Sequence, residues 1–285
     1  MKKILLTSML LGLCLVSYST VSFAASENSS VTRDEAVQST KEYILKSRED
    51  KINLLKELPE NSSKDVVNDV LDQYVLENPA PEYNLDSEIS IEELFPEVDL
   101  VKASKNVTIN ITDIIEQEKA LNPGNVFEFN DGSNVTDVLI DETGQITTTS
   151  RTFHLEDNIL SSRAAWKYKS DTNEMVISNA VGVKMIRFMA SGSFKYNGSD
   201  VGIELGDGSV DRYTAGSTIT VLSKTVGKSR KYTLEGYKYA EVYTRASIES
   251  TVAFKYLNLL ISSGTFEVYT GSTVNGNIYG SAKKI

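Results

Sequence analysis

Two spacings of apolar residues divide this chain. From Val31 to Leu58 the positions Val37, Ile44, Ile52, Leu55 and Leu58 recur at helical intervals with charges between them. Thr32 and Glu35 form a capping-box pattern at the start, and Pro59 is a stop. A second helix is predicted over Ser63 to Leu76, where Val66, Val67, Val70, Leu71, Tyr74 and Val75 share a stripe, Ser62 or Ser63 caps, and Asn78-Pro79-Ala80-Pro81 terminates. Glu82 to Val98 is acidic and weakly apolar, which predicts irregular chain.

From residue 106 the period drops to two. Val107, Ile109 and Ile111 alternate with polar residues, and Ile114 to Leu121 reads as one short helix. Val126 to Phe129 and Val135 to Ile140 flank the turn Asn130-Asp131-Gly132-Ser133, and Asp141-Glu142-Thr143-Gly144 leads back into Gln145 to Thr149, a three-stranded meander. Further strands are predicted at Ala164–Tyr168, Glu174–Ser178, Val181–Met189, Gly192–Tyr196, Ser217–Lys224, Lys231–Arg245, Ser247–Ile261 and Thr265–Thr270. A run of short strands without intervening helices predicts an antiparallel sandwich or a barrel-like domain. The fold class is therefore α+β: an acidic helical N-terminal segment followed by an all-β region.

Composition sharpens the boundary. All five prolines precede residue 124, whereas every glycine beyond residue 24 lies at or after Gly124, so a helix-and-linker part gives way to a turn-rich β part. Residues 25–160 hold 11 Lys and Arg against 29 Asp and Glu, a net of −18; residues 161–285 hold 16 against 10, a net of +6. The expected organisation is a leader over 1–24, an acidic helical segment over 25–81, an acidic linker with a short strand and helix over 82–123, and an antiparallel β region over 124–285.

The leader is a signal peptide by pattern: Lys2-Lys3, an apolar core from Ile4 to Val16, and the small-residue exit Ser22-Phe23-Ala24, with cleavage expected after Ala24. The only cysteine, Cys14, lies inside it behind Leu13, where a lipidated cysteine follows Gly, Ala or Ser. The expectation is a secreted, extracellular chain with no thiol, no disulfide and no LPxTG-like tail.

An internal similarity supports β structure: Ser191-Gly192-Ser193-Phe194-Lys195-Tyr196 with Gly198-Ser199-Asp200-Val201 aligns with Ser263-Gly264-Thr265-Phe266-Glu267-Val268 with Gly271-Ser272-Thr273-Val274. The segment Gly192 to Gly198, in a Tyr-rich C-terminal β domain behind a leader, resembles a diffuse group of uncharacterised exported proteins of Gram-positive bacteria. That resemblance covers about 120 residues and implies export and fold class; it assigns no site residue.

Catalytic signatures are few. His154 is the sole histidine, which excludes His-pair metal sites, and there is no GxSxG elbow to give it a serine partner. Gly206-Asp207-Gly208 is a bare GxG with no helix pattern after it, and no P-loop occurs, so no nucleotide cofactor is expected. Acidic residues around Gly206 and Gly208 make Asp207 and Asp211 metal-ligand candidates, calcium being the ion that such a loop would take, although the EF-hand spacing is missing. Ten of the fourteen tyrosines lie at or after Tyr168. Tyr237, Tyr239 and Tyr243 share a strand face, and with Trp166 they are the candidate ligand-binding residues, since aromatic rings stack on sugars while Lys228, Arg230, Lys231, Lys238 and Arg245 meet anionic polymers or headgroups. The bland alternative is that these rings only pack.

The leading expectation is a non-enzymatic secreted protein that binds a cell-envelope polymer or another protein, with no cofactor and no nucleic acid. A secreted antibacterial or pore-forming protein, masked by its acidic N-terminal segment and acting on membranes, is the alternative; a carboxylate-dependent hydrolase is the third. Oligomeric state is not legible in the sequence.

Overall fold

The computed structural model describes residues 31–83, 85, 89, 91–96, 109–154, 166–213, 219–250 and 264–285. The leader with Cys14, residues 84, 86–88, 90 and 97–98 of the acidic stretch Glu82–Val98, Val107 and the apolar run Val252–Ile261 lie outside the described residues.

Helix α1 spans Arg33–Glu57 and begins in the predicted capping box, with the Thr32 side chain accepting from the Glu35 N–H and the Glu35 carboxylate accepting from the Thr32 N–H at 2.9 Å. Helix α2, Lys64–Glu77, is capped by Ser63 and buries Val67 and Leu71. A short turn of helix, α3, covers Ile91–Leu94, and α4 covers Ile111–Leu121. The buried stripe of α1 contains the expected Ile44, Ile52 and Leu55, with Val37 and Leu58 packed at its margins, but it also takes in Ala36, Thr40, Ser47 and Lys51, so polar groups are carried inward by the helical period.

Two antiparallel sheets make up the rest, and neither closes into a barrel. Sheet B has six strands in sequence order: β2 Val126–Asn130, β3 Asn134–Ile140, β4 Ile146–His154, β5 Lys167–Ser178, β6 Lys184–Tyr196 and β7 Val201–Arg212. Sheet A has four full strands, β8 Ile219–Leu234, β9 Tyr237–Ser250, β10 Gly264–Thr273 and β11 Ile278–Lys284, and the two-residue β1, Ile109–Asn110, pairs with β11 at its edge. Met175, Ile177, Ile186, Phe188 and Ala190 of sheet B pack against Ile219, Ala246, Ile248, Phe266, Val268 and Ala282 of sheet A in one core. Beneath α4, Ile115 packs on Val126 and Leu139.

The helical hairpin lies on the other face of sheet B. Ile52, Leu55, Val67 and Leu71 meet Phe129, Val138, Ile140 and Ile146 there, and Ala36 and Ile44 meet Ala180 and Val181 of the β5–β6 turn. Lys64–Glu174 and Lys184–Asp72 ion pairs, both 2.6 Å, join α2 to the sheet. The layers thus run hairpin, sheet B, sheet A, and the outer face of sheet A carries no helix among the described residues.

The strands are longer than the sequence pattern suggested. The strands predicted over Val181–Met189 and Gly192–Tyr196 are one strand, β6, and at Gly192 in its middle a side chain would overlap the ring of Phe194 and stand 3.0 Å from Val242 of the facing sheet. Lys231–Arg245 is not one strand: Glu235 and Gly236, both at positive φ, turn β8 into β9. The internal repeat holds in its strands, since Phe194 and Phe266 both point into the core, but Gly198 lies in a turn and its counterpart Gly271 inside β10.

Candidate ligand-binding face

Side chains alternate across a strand, so the residues between the core positions of β8 to β11 form the outer face of sheet A. Direct cross-strand partners there are Arg230 with Glu241, Tyr232 with Tyr239, Tyr243 with Tyr269, and Glu267 with Arg245 on one side and Lys283 on the other. Such opposite pairs are the closest neighbours that a sheet provides.

Glu267 is fully buried although it lies on an outer face, because Arg230 (3.1 Å), Arg245 (2.5 Å) and Lys283 (3.0 Å) close over its carboxylate. Burial works to raise its pKa, but the hydrogen bonds from these three cations outweigh it and hold the carboxyl below its ordinary value. Arg230 also donates to the buried Glu241 at 2.5 Å, and the Tyr232 hydroxyl donates to the same carboxylate at 2.7 Å. Desolvation disfavours the charge on Arg230, and Glu267 and Glu241 more than restore it.

The rings are laid between these charges. Tyr232 stacks on Tyr239 at 5.1 Å between centroids, and Tyr279 meets Tyr239 and Tyr269 edge-on at 5.9 and 6.3 Å. Arg230 lies over both Tyr243 and Tyr269, Arg245 over Tyr243, and Lys283 over Tyr269. Gly271 makes the bed: a Cβ there would stand 2.6 Å from the Tyr279 ring and 2.8 Å from Glu241 Cγ. Burial drives the Tyr279 hydroxyl far upward and Tyr232 to about 12, so these phenols stay neutral and remain hydrogen-bond donors.

Of the residues singled out in the sequence, Tyr239 and Tyr243 belong to this lattice. Tyr237 sits at the hairpin end of β9, 60% exposed and outside the ring cluster. Trp166 is on the other sheet, just before β5, with Lys195 Nζ 5.5 Å from its ring. Glu241, Glu267, Tyr232, Tyr269, Tyr279 and Lys283 escaped notice, although Thr265-Glu267-Tyr269 and Tyr279-Ser281-Lys283 carry the period-two signal.

Asp207 and Asp211 do not form a loop. Both lie within the extended strand β7, four residues and therefore about 13 Å apart. Asp211 accepts from Ser209 Oγ at 2.6 Å and pairs with Arg187 at 3.5 Å. Among the described residues no three His, Cys, Asp or Glu side chains gather to hold a metal ion. His154 ends β4 opposite Ser170.

The arrangement closest to an acid–base pair is elsewhere. Asp137 on β3 is opposite Glu128 on β2, and burial, with Glu128 second, pushes it up to about 6. Glu128 is already paired with Lys119 of α4, so the pair is accounted for without invoking chemistry. A carboxyl whose folded pKa is raised weakens the fold as pH climbs through that value, so Asp137→Asn is expected to stabilise the chain by about 1–2 kcal/mol at pH 8 and by almost nothing below pH 4, read from urea midpoints.

Comparison with family models, curated proteins and solved structures finds no match for this chain. Among the described residues no helix is long and apolar enough to cross a membrane.

Proposed function

We propose that this is an exported, non-enzymatic binding protein with a sandwich-like β body, whose outer sheet-A face takes anionic glycan polymers of the cell envelope. The carrying observation is the lattice of Tyr232, Tyr239, Tyr269 and Tyr279 interleaved with Arg230, Arg245 and Lys283 on a face that the helical hairpin leaves uncovered. Flat phenol rings offer stacking surfaces to sugars, and Arg245 is 43% exposed and available to a ligand carboxylate or phosphate. The rings are already ordered by one another, so little side-chain entropy is lost on binding.

The test is retention of the secreted chain on purified wall polymer, read by calorimetry at two salt concentrations. Tyr239→Ala and Arg245→Ala are each expected to weaken binding about tenfold, Arg245→Ala also reducing the salt dependence. Unchanged affinity in both variants, with the fold intact by circular dichroism, rejects this face as the site.

A further inference from the structure

Lys51 heads the largest fully buried side chains among the described residues. It sits in the middle of α1, is 0% exposed, and its Nζ has no hydrogen-bond partner among the described residues. The ammonium lies against the backbone of Gly182, where a Cβ would come within 2.8 Å of it, and that Cβ would stand 3.1 Å from Val75 of α2. The Tyr74 ring is 5.7 Å away. Three turns earlier on the same stripe, Thr40 Oγ1 is buried and unpartnered as well. The hairpin is thus held to sheet B by apolar contacts at Ile52, Leu55, Val67 and Leu71 and, at its margins, by the Lys64–Glu174 and Lys184–Asp72 ion pairs and the hydrogen bonds of Arg48 to Asp141 and Asn125, while the seam at Lys51 and Thr40 between them gains nothing from being buried.

We propose that the α1–α2 hairpin is a detachable cover over sheet B, released when Lys51 takes up a proton and uncovering the apolar strip Phe129, Val138, Ile140 and Ile146. The groups around Lys51 leave it uncompensated. On α1, Asp50 is its only charged sequence neighbour, and the Asp50 carboxylate already accepts from the Tyr74 hydroxyl at 2.9 Å. On α2, Tyr74 is kept neutral, its hydroxyl pushed up to about 12 chiefly by burial, and Asp72 is taken by Lys184 of β6. The turn Asn179–Val183 brings no titratable side chain. Burial lowers Lys51 to about 7, with Asp50 opposing weakly.

A lysine that binds its proton less well when docked than when free makes opening easier as pH falls, tenfold per unit above pH 7 and levelling off below it. Asp137 and Asp141, both raised by burial, act with the opposite sign, so the comparison must isolate Lys51.

Thermolysin digestion of the secreted chain, with cuts mapped by mass spectrometry, gives that isolation when the hairpin cleavage rate is divided by that of Lys51→Met at the same pH. The ratio is expected to rise about 30-fold from pH 8.5 to pH 6 while β2 to β6 stay uncut. Lys51→Arg, which cannot shed its proton, is expected at pH 8.5 to show a hairpin cleavage rate, divided by that of Lys51→Met at the same pH, as high as the ratio that the natural chain reaches at pH 6. A ratio that does not move, cleavage spreading through β2 to β6 in parallel, or a Lys51→Arg hairpin as resistant as the natural one at pH 8.5 would each overturn the proposal.

Discussion

Gly208→Val is expected to cost about 4 kcal/mol or more and to lower the melting temperature by roughly 10 °C. Gly208 lies on β7, where the edge of sheet B passes against the bulged part of β8, and the two approach by backbone. A Cβ at Gly208 would overlap Thr244 Oγ1 and stand 2.7 Å from the Met189 carbonyl oxygen and 2.9 Å from the Gly227 nitrogen. Two of these three neighbours are main chain and cannot rotate aside. The third, Thr244, is 0% exposed and accepts from the Gly227 N–H at 3.2 Å, so moving it breaks the bond that fixes the bulge. Gly227 itself has φ of +58° and stands against Asp207, with 2.7 Å from its would-be Cβ to the Asp207 carbonyl carbon. The control is Gly132→Ala in the β2–β3 turn, where φ is +89° and nothing lies within 4 Å. Only the backbone penalty of about 1–2 kcal/mol applies there. Thermal melts of both variants separate the two effects, and equal losses would show that the β7–β8 approach is not tight.

Those glycines mark the limit of what the sequence discloses. The helices were legible because capping box, stripe and proline stops are local, and the meander because its turns carry Asn-Asp-Gly-Ser and Asp-Glu-Thr-Gly. Strand β7 was not: Gly202, Gly206 and Gly208 look like turn residues, and the close neighbours of Gly206 and Gly208 come from β6, β8 and β9, more than 15 residues away in the chain. Asp207 and Asp211 looked like a calcium loop for the same reason. Lys51 was hidden by its own chemistry, since a lysine between Ile44 and Leu55 reads as part of the solvated face and only the docked sheet shows otherwise.

The tyrosine face was half legible. Tyr239 and Tyr243 betray themselves by spacing on one strand, but their partners Tyr269 and Tyr279 come from strands whose register no local pattern fixes. The buried carboxylates are harder still, because a glutamate between Phe266 and Val268 gives no hint that three cations from three strands will close over it. The opposite charges of the two halves pointed to an acidic segment lying on basic residues. Among the described residues the helical hairpin meets sheet B mainly through apolar contacts and lies away from the basic tyrosine face.

Glu267→Gln is the second large effect, about 3 kcal/mol of destabilisation at pH 7. The amide matches the carboxylate in shape, so packing is kept and the change is electrical. Arg230, Arg245 and Lys283 would converge on a neutral group, and Arg230 alone would retain a carboxylate, that of Glu241. The loss stays below the upper range for a broken buried pair because the three cations are 28–43% exposed and regain water. The pH dependence distinguishes this account from a packing defect. The Glu267 carboxyl is held below its ordinary value in the folded state, so its contribution is complete above the unfolded value, about 4.3, and fades as pH drops through the lower folded one. Urea midpoints of the natural chain and the Glu267→Gln variant should therefore differ fully at pH 7 and 5, and the gap should narrow below the unfolded value, as the unfolded carboxyl takes up its proton before the folded one does. A gap that persists unchanged at pH 3 would mean that the ion cluster is not what Glu267 contributes, and that the cations over the tyrosine rings are held by the aromatic faces instead.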